Sequence, residues 1–352
     1  MLLARPRGEP ATGGGPALSA SPGPGRHRPP SFRAAVLAGP HRAETAYVQL
    51  GKLGPDDLRV VVEGCGVCGS NLPLWQGRPW FEYPRAPGAP GHEAWGTVVE
   101  TGEQAALEPG AARPGDRVAV LSDRAFAEMV DVAAREVVAL PPALAGLPFP
   151  GEALGSAFNV AARSGFAPGC TVCVVGAGFL GTALVALAAS AGCRVVAVSR
   201  RTWALGLAST MGAAHTLVLG DRKGTVAAVE ELTDGQLCDV VVEAVGGQSA
   251  LDLAGELARV RGRLVIAGFH QESPRQVDLQ LWNWRGIDVV NAHERDPSVV
   301  LDGIGRAARA VAEGRFDPRP LFTHRYPLDG LGQALQAMEE RPDGFMKALV
   351  MP

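Results

Sequence analysis

Thr171-Val172-Cys173-Val174-Val175-Gly176-Ala177-Gly178-Phe179-Leu180-Gly181 decides the fold. Its first five residues, mostly β-branched, read as a strand, and an apolar helical run follows its last glycine. Between them Gly176, Gly178 and Gly181 fall at the spacing G-x-G-x-x-G. Gly176 permits the tight turn, Gly178 lets the backbone approach a pyrophosphate, and Gly181 lets helix and strand pack closely. Phe179 and Leu180 open the helix, whose N-terminal amides face the phosphates. Three glycines alone are weak evidence. The strand before them and the long helix after them meet the structural context, so the stretch predicts a dinucleotide-binding βαβ unit.

Working outward, strand-like runs at 171–175, 194–198, 239–245 and 263–267 alternate with Ala/Leu-rich stretches at 179–191, 202–211 and 248–259. That alternation predicts a doubly wound parallel sheet in an α/β fold. Upstream, from Phe32 to about residue 140, short β-rich runs broken by Gly and Pro predict a separate β domain. From about 298 come two helix-like segments, 299–313 and 328–340, and a last strand from Lys347 to Val350 that returns to the first domain. The expected layout is a β-rich domain at 32–158 and 298–352 interrupted by a dinucleotide-binding domain at 159–297. A chain of 352 residues suits two domains better than one core.

Composition narrows the function. The net charge is −3, with Arg5, Arg7, Arg26 and Arg28 against Glu9 in the first thirty residues, which leaves a mildly acidic body. Such a body carries no electrostatic footprint for nucleic acid, and no run of 18 apolar residues exists to span a membrane. Residues 1–31 include Gly13-Gly14-Gly15 and Ser21-Pro22-Gly23-Pro24-Gly25 and are expected to be a disordered extension. They show neither an apolar signal region nor an amphipathic transit helix, so the expected compartment is the cytoplasm. Six cysteines do not make a secreted disulfide framework. Cys170 and Cys173 fall on opposite faces of a strand and read as core thiols. Cys65, in a β-like run, reads as buried.

The choice between nicotinamide cofactors is set at the end of the second strand, Arg194-Val195-Val196-Ala197-Val198-Ser199. An acidic residue there would hold the ribose hydroxyls of NAD. Ser199 stands in its place, followed by Arg200 and Arg201, and paired guanidinium donors suit a 2′-phosphate. The pattern points to NADP ahead of NAD. The competing reading is an arginine that covers the adenine face.

A second constellation carries the chemistry: Gly64-Cys65-Gly66-Val67-Cys68-Gly69-Ser70-Asn71, then Pro90-Gly91-His92-Glu93, then Gly151-Glu152-Ala153-Leu154. A catalytic zinc takes about three N, S or O protein ligands and keeps one position open. A thiolate, an imidazole and a carboxylate supply such a set.

With these motifs in this order, and with Pro114-Gly115-Asp116-Arg117-Val118 between them, residues 32–352 resemble the zinc-containing medium-chain dehydrogenase/reductases, especially the sorbitol- and threonine-dehydrogenase-like members. The resemblance implies a GroES-like catalytic domain packed against a Rossmann domain, with the active site in the cleft. It implies Cys68 and His92 as zinc ligands, with Glu93 and Glu152 sharing the third position directly or through water. Ser70 matches the hydroxyl that relays the substrate proton. Zinc would act as a Lewis acid on an alcohol, polyol or matching carbonyl while hydride moves to or from the nicotinamide. The resemblance also implies a homodimer, or a dimer of dimers, through the Rossmann domain, where Trp282 and Trp284 are candidate contact residues.

Three departures stand out. Asn71 replaces the usual Asp beside the ligands. No four-cysteine structural zinc lobe lies between Val120 and Asp131, so one zinc per chain is expected. Leu72 and Pro73 follow Ser70-Asn71 with no nearby His to carry a proton onward. Trp75, Trp80, Phe81 and Tyr83, just before the Pro90-Gly91-His92-Glu93 motif, are candidates either for the substrate pocket or for a packed loop. Two other functions are weighed: a zinc-free NADPH-dependent quinone or enoyl reductase, which needs no ligand set, and a cofactor-binding sensor that has lost its chemistry.

Overall fold

The computed structural model describes residues 30–352, so the extension expected at the N-terminus lies almost wholly outside the described residues. Ser31 already belongs to the first strand, Ser31–Gly39, which pairs with Arg42–Gln49 in a hairpin.

The quoted stretch folds as read. Thr171–Val175 is a central strand, and alternation sends Val172 and Val174 into one core layer and Cys173 and Val175 into the other. Cys170 packs against the first layer, so the two thiols do face opposite sides. The sheet runs in the spatial order His215–Val218, Arg194–Ser199, Thr171–Val175, Cys238–Glu243, Ala258–Ile266, Asp288–Asn291, all parallel. The chain winds outward in both directions from Thr171–Val175. That makes the crevice beyond Val175 and Glu243 the topological switch point, where ligands of such sheets bind.

The other domain is built on Asp57–Gly66, which pairs antiparallel with Glu93–Thr101, Met129–Ala133 and the C-terminal strand Ala348–Met351. The last strand of the chain therefore lies beside Asp57–Gly66. Register is what matters for function. Gly66 lies opposite Glu93 on one side and Leu349 on the other. Three strand ends thus converge, and they deliver Cys68, His92 with Glu93, and Lys347 to one place. Gly66 is needed there, because a Cβ would collide with the Glu93 carboxylate.

The two domains share a core through the helices Gly151–Ser164 and Pro297–Ala312. Gly155 sits on the Ile304 backbone and Gly303 on Asn159, so the helix axes approach closely. Residues 158 and 298 lie inside this helix pair, which is the joint between the domains. No helix among the described residues is long and apolar enough to cross a membrane.

Candidate active site

Cys68 emerges from the end of Asp57–Gly66 into a single 3-10 turn, Gly69–Asn71. The buried Asn71 braces it: Oδ1 accepts the Cys68 N–H at 3.0 Å, and the Asn71 N–H donates to the Cys68 carbonyl at 2.9 Å. Asn71 Nδ2 also reaches the Pro90 carbonyl, at 3.4 Å. That carbonyl accepts from His92 Nδ1 at 2.8 Å, which fixes the tautomer and leaves Nε2 as the free donor atom. Nε2 faces Ser70 Oγ at 3.4 Å.

The ligand atoms of Cys68, His92 and Glu93 lie within 4.8 Å of one another, and among the described residues no other cluster of this kind occurs. Burial works to depress the His92 pKa. The hydrogen bond to Cys68 and the negative charges of Cys68, Glu152 and Glu93 outweigh it and raise the imidazole to about 9. Cys65 behaves differently. It is fully buried with its thiol directed to the Gly66 carbonyl, and burial pushes its pKa up, so it stays a core thiol.

The two glutamates are not equivalent. Glu93 is buried, and both of its oxygens meet Lys347 Nζ, at 2.6 and 2.5 Å. Glu152, on the first turn of Gly151–Ser164, is half-buried and only accepts a hydrogen bond from Ser156 Oγ at 3.1 Å. Its carboxylate stands outside the three-residue cluster, although its charge reaches His92.

Lys347 escaped the sequence reading. Its signal was a lone cation inside the apolar run Phe345-Met346-Lys347-Ala348-Leu349-Val350. It is 2% exposed, and its Nζ also lies 4.5 Å from the centre of the Phe179 ring. One buried ammonium therefore joins the candidate metal cluster to the glycine turn. At that turn, Gly176 has φ +106°, open only to glycine without strain. A Cβ at Gly181 would collide with the Gly176 carbonyl, whereas one at Gly178 would meet nothing within 4 Å. The space over Gly178 is a cradle that a pyrophosphate could occupy.

Glu243 is a second residue that sequence reasoning missed. Fully buried at the switch point, it accepts the N–H groups of Val245 and Gly246, each at 2.8 Å, and His270 Nε2 at 2.9 Å. Arg275 Nε donates to His270 Nδ1 at 3.1 Å, which places the His270 proton on Nε2. The network ties two crevice loops together.

Of the aromatic candidates, three are packed and one is exposed. Trp75 is buried against His41 on the outer side of the helix Leu331–Glu340, and the Tyr83 hydroxyl donates to the Leu74 carbonyl. Phe81 and Tyr83 pack on the β-domain core, while Trp80 is half exposed. Trp282 packs on the parallel-sheet core and Trp284 is 87% exposed.

Comparison with known proteins agrees with this geometry. Residues 54–142 match the alcohol dehydrogenase GroES-like domain, and residues 180–300 match the zinc-binding dehydrogenase domain. A protein assigned as a D-xylulose reductase in Agrobacterium fabrum is 28% identical, over 86% of this chain and 93% of its own. Sorbitol dehydrogenase of Gallus gallus is 27% identical, over 83% and 88%. A structure from Sinorhizobium meliloti, described as a zinc-binding dehydrogenase bound to NADP, superposes with a TM-score of 0.77 at 26% identity, covering 92% of this chain and all of the other.

Proposed function

The chain belongs to the zinc-containing medium-chain dehydrogenase/reductases and is an alcohol- or polyol-type oxidoreductase; from that premise we propose that one zinc per chain is held by Cys68, His92 and Glu152, and that NADP(H) is its hydride partner. The observation that carries the zinc reading is the convergence of the Cys68 thiol, His92 Nε2 and the Glu93 carboxylate within 4.8 Å of one another, with Glu152 near enough for its charge to act on His92. The donor set fits zinc: Nδ1 is already committed to Pro90, so Nε2 is free to ligate. Lys347 holds both oxygens of Glu93, which gives Glu93 the supporting role and leaves Glu152 as the carboxylate free to turn inward. Held by Cys68, His92 and Glu152, zinc would supply Lewis acidity toward the substrate oxygen, and a dinucleotide on the Gly176–Gly181 turn would supply the hydride chemistry.

The chain's own groups do the rest. Ser70 Oγ, beside His92, is the hydroxyl placed to relay the substrate proton, taking it on one side while passing its own proton toward solvent on the other, and the reverse on reduction. Gly178 leaves the pyrophosphate its cradle, and Ser199 with Arg200 presents a hydroxyl and a cation, not a carboxylate, where the ribose 2′-substituent falls. The same reading assigns the protein to the cytoplasm and pairs two copies through the exposed Trp284 and the edge strand Asp288–Asn291.

Elemental analysis combined with dinucleotide titration tests the proposal. The expected wild type carries about one zinc per chain and has a higher kcat/KM with NADP(H) than with NAD(H). Cys68→Ala and His92→Ala should lose the metal and all but a few per cent of activity, while NADP(H) affinity stays within about twofold because the glycine turn lies in the other domain. Glu152→Gln should lose most of its zinc and Glu93→Gln should keep it. Active, well-handled protein with no zinc, or with two, would sink the metal assignment. The reverse ranking of the two glutamates would transfer the ligand to Glu93.

A further inference from the structure

Cofactor choice has so far been read from residues of one domain, Ser199, Arg200 and Arg201. The structure divides those residues by role and brings a fourth from the other domain. Arg201 Nη1 donates to the Phe345 carbonyl at 2.6 Å, and its backbone N–H donates to Ser199 Oγ at 3.3 Å. Its guanidinium is thus fastened to the chain that follows the helix Leu331–Glu340. Arg200 is exposed. Through the Arg201–Phe345 bond, the segment from Arg341 to Phe345 lies against the end of the strand Arg194–Ser199.

Arg341 caps its helix with φ +49° and ψ +59°, the left-handed conformation that usually selects glycine. Its N–H bonds the Ala337 carbonyl, and its side chain makes only a long bond of 3.4 Å, from Nε to the Met338 carbonyl. Desolvation lowers the pKa of both Arg341 and Arg201, and like charge adds to it: Arg200 acts on Arg341, and Arg341 acts on Arg201. Asp343 is the one acid that answers any of this, and it answers at Arg201. The Arg201–Phe345 bond thus brings the exposed Arg341 of the other domain near enough to Arg200 and Arg201 for like charges to act on it, beside the strand end where a ribose 2′-substituent emerges. A phosphate monoester, with about two negative charges and three acceptor oxygens, is the chemistry that such a place lacks.

Resting on the NADP reading above, we propose that Arg341 is a specificity-determining residue: with Arg200 it forms a two-domain clamp on the 2′-phosphate, and Arg201 is the positioning residue that sets the clamp through Phe345. The competing role for Arg341 is simple complementation of the helix C-terminus, where a cation is favourable. The two roles separate cleanly, because one concerns the ligand and the other concerns the helix.

The test is calorimetric titration of the full chain with two fragments that differ only in the phosphate, adenosine 2′,5′-bisphosphate and 5′-AMP. Wild type should bind the bisphosphate more tightly. Arg341→Gln and Arg341→Gly should each weaken the bisphosphate about ten- to a hundredfold, the size of one lost charge-assisted contact. Binding of 5′-AMP should stay within about twofold. Arg341→Gly also removes the left-handed strain, so its melting temperature should not fall. If wild type favours the bisphosphate and both variants keep that preference, the clamp is refuted while the NADP reading stands. If both fragments weaken equally, Arg341 serves the fold, and the clamp is refuted. A wild type that does not distinguish the fragments refutes the NADP reading and the clamp with it.

Discussion

Asn71 holds the two ligand-bearing turns together with atoms of opposite kind. Its Oδ1 takes the Cys68 N–H, and its Nδ2 reaches the Pro90 carbonyl that orients His92. A carboxylate could make the first bond and not the second. At 2% exposure it would also bring an unpaired charge into a site already rich in negative groups. Asn71→Asp should therefore destabilise the metal-free protein by about 1–3 kcal/mol, the usual penalty for a buried polar group left without its partner. Excess zinc should restore part of that loss, since a more negative site binds the cation more tightly in the folded state. Thermal unfolding with and without zinc checks both halves; equal losses under the two conditions would mean that Asn71 does not communicate with the metal. At this scale the sequence was informative where spacing carried meaning. It separated Cys68 from Cys65, because Cys65 stands in a β-like run that favours burial and Cys68 stands where the resemblance puts a metal ligand. Ion pairs across distant strands have no such spacing. Glu93 and Lys347 are 254 positions apart, and only the register of the sheet shows that they meet.

At the scale of the element, the strand-turn-helix unit makes a prediction that separates folding from binding. Gly181 is required by the protein itself, because a Cβ there strikes the Gly176 carbonyl. Gly178 has open space, so only a ligand can require it. Gly181→Ala should lower the melting temperature of the ligand-free protein and weaken dinucleotide binding along with it. Gly178→Ala should leave the melting temperature within about a degree, while NADP(H) affinity falls by tenfold or more, as expected for a side chain placed where the pyrophosphate must approach. Equal stability losses in the two variants would contradict this division. The apolar elements around this unit were legible for the same reason that it was: Thr171–Val175, Phe179–Ser190 and Gln248–Leu257 are long or apolar enough to show their period. The helix Arg222–Leu232 was not, because it opens on Arg222-Lys223-Gly224 and buries little of its length. Its one marker is Asp221, whose side chain accepts the Gly224 N–H at 2.8 Å as an N-cap. The edge strand His215–Val218 is four residues long, too short for alternation to stand out.

At the scale of the whole molecule, Lys347 touches both the candidate metal cluster and the glycine turn. It comes from the last strand of the chain, pairs with Glu93 of the metal cluster, and lies over Phe179 of the dinucleotide turn. Both partners of the ion pair are almost wholly out of water, at 2% and 1% exposure. Burying such a pair carries a large desolvation penalty, and breaking one side of it leaves the other charge uncompensated. Lys347→Met should therefore destabilise the metal-free protein by about 3–5 kcal/mol, with the loss of the aromatic contact included. Glu93→Gln alone should be damaging as well, since it leaves the ammonium buried beside an amide. Joined in one chain, the two changes remove both charges and should recover a large part of the loss, with a coupling of about 2 kcal/mol or more. Chemical denaturation of the wild type, both single variants and the double variant measures that coupling. Simple additivity would show that Lys347 is held by its surroundings and not by Glu93. If the coupling is present, the C-terminal strand acts as a structural part of the active site, and truncation after Met346 should disable both domains together.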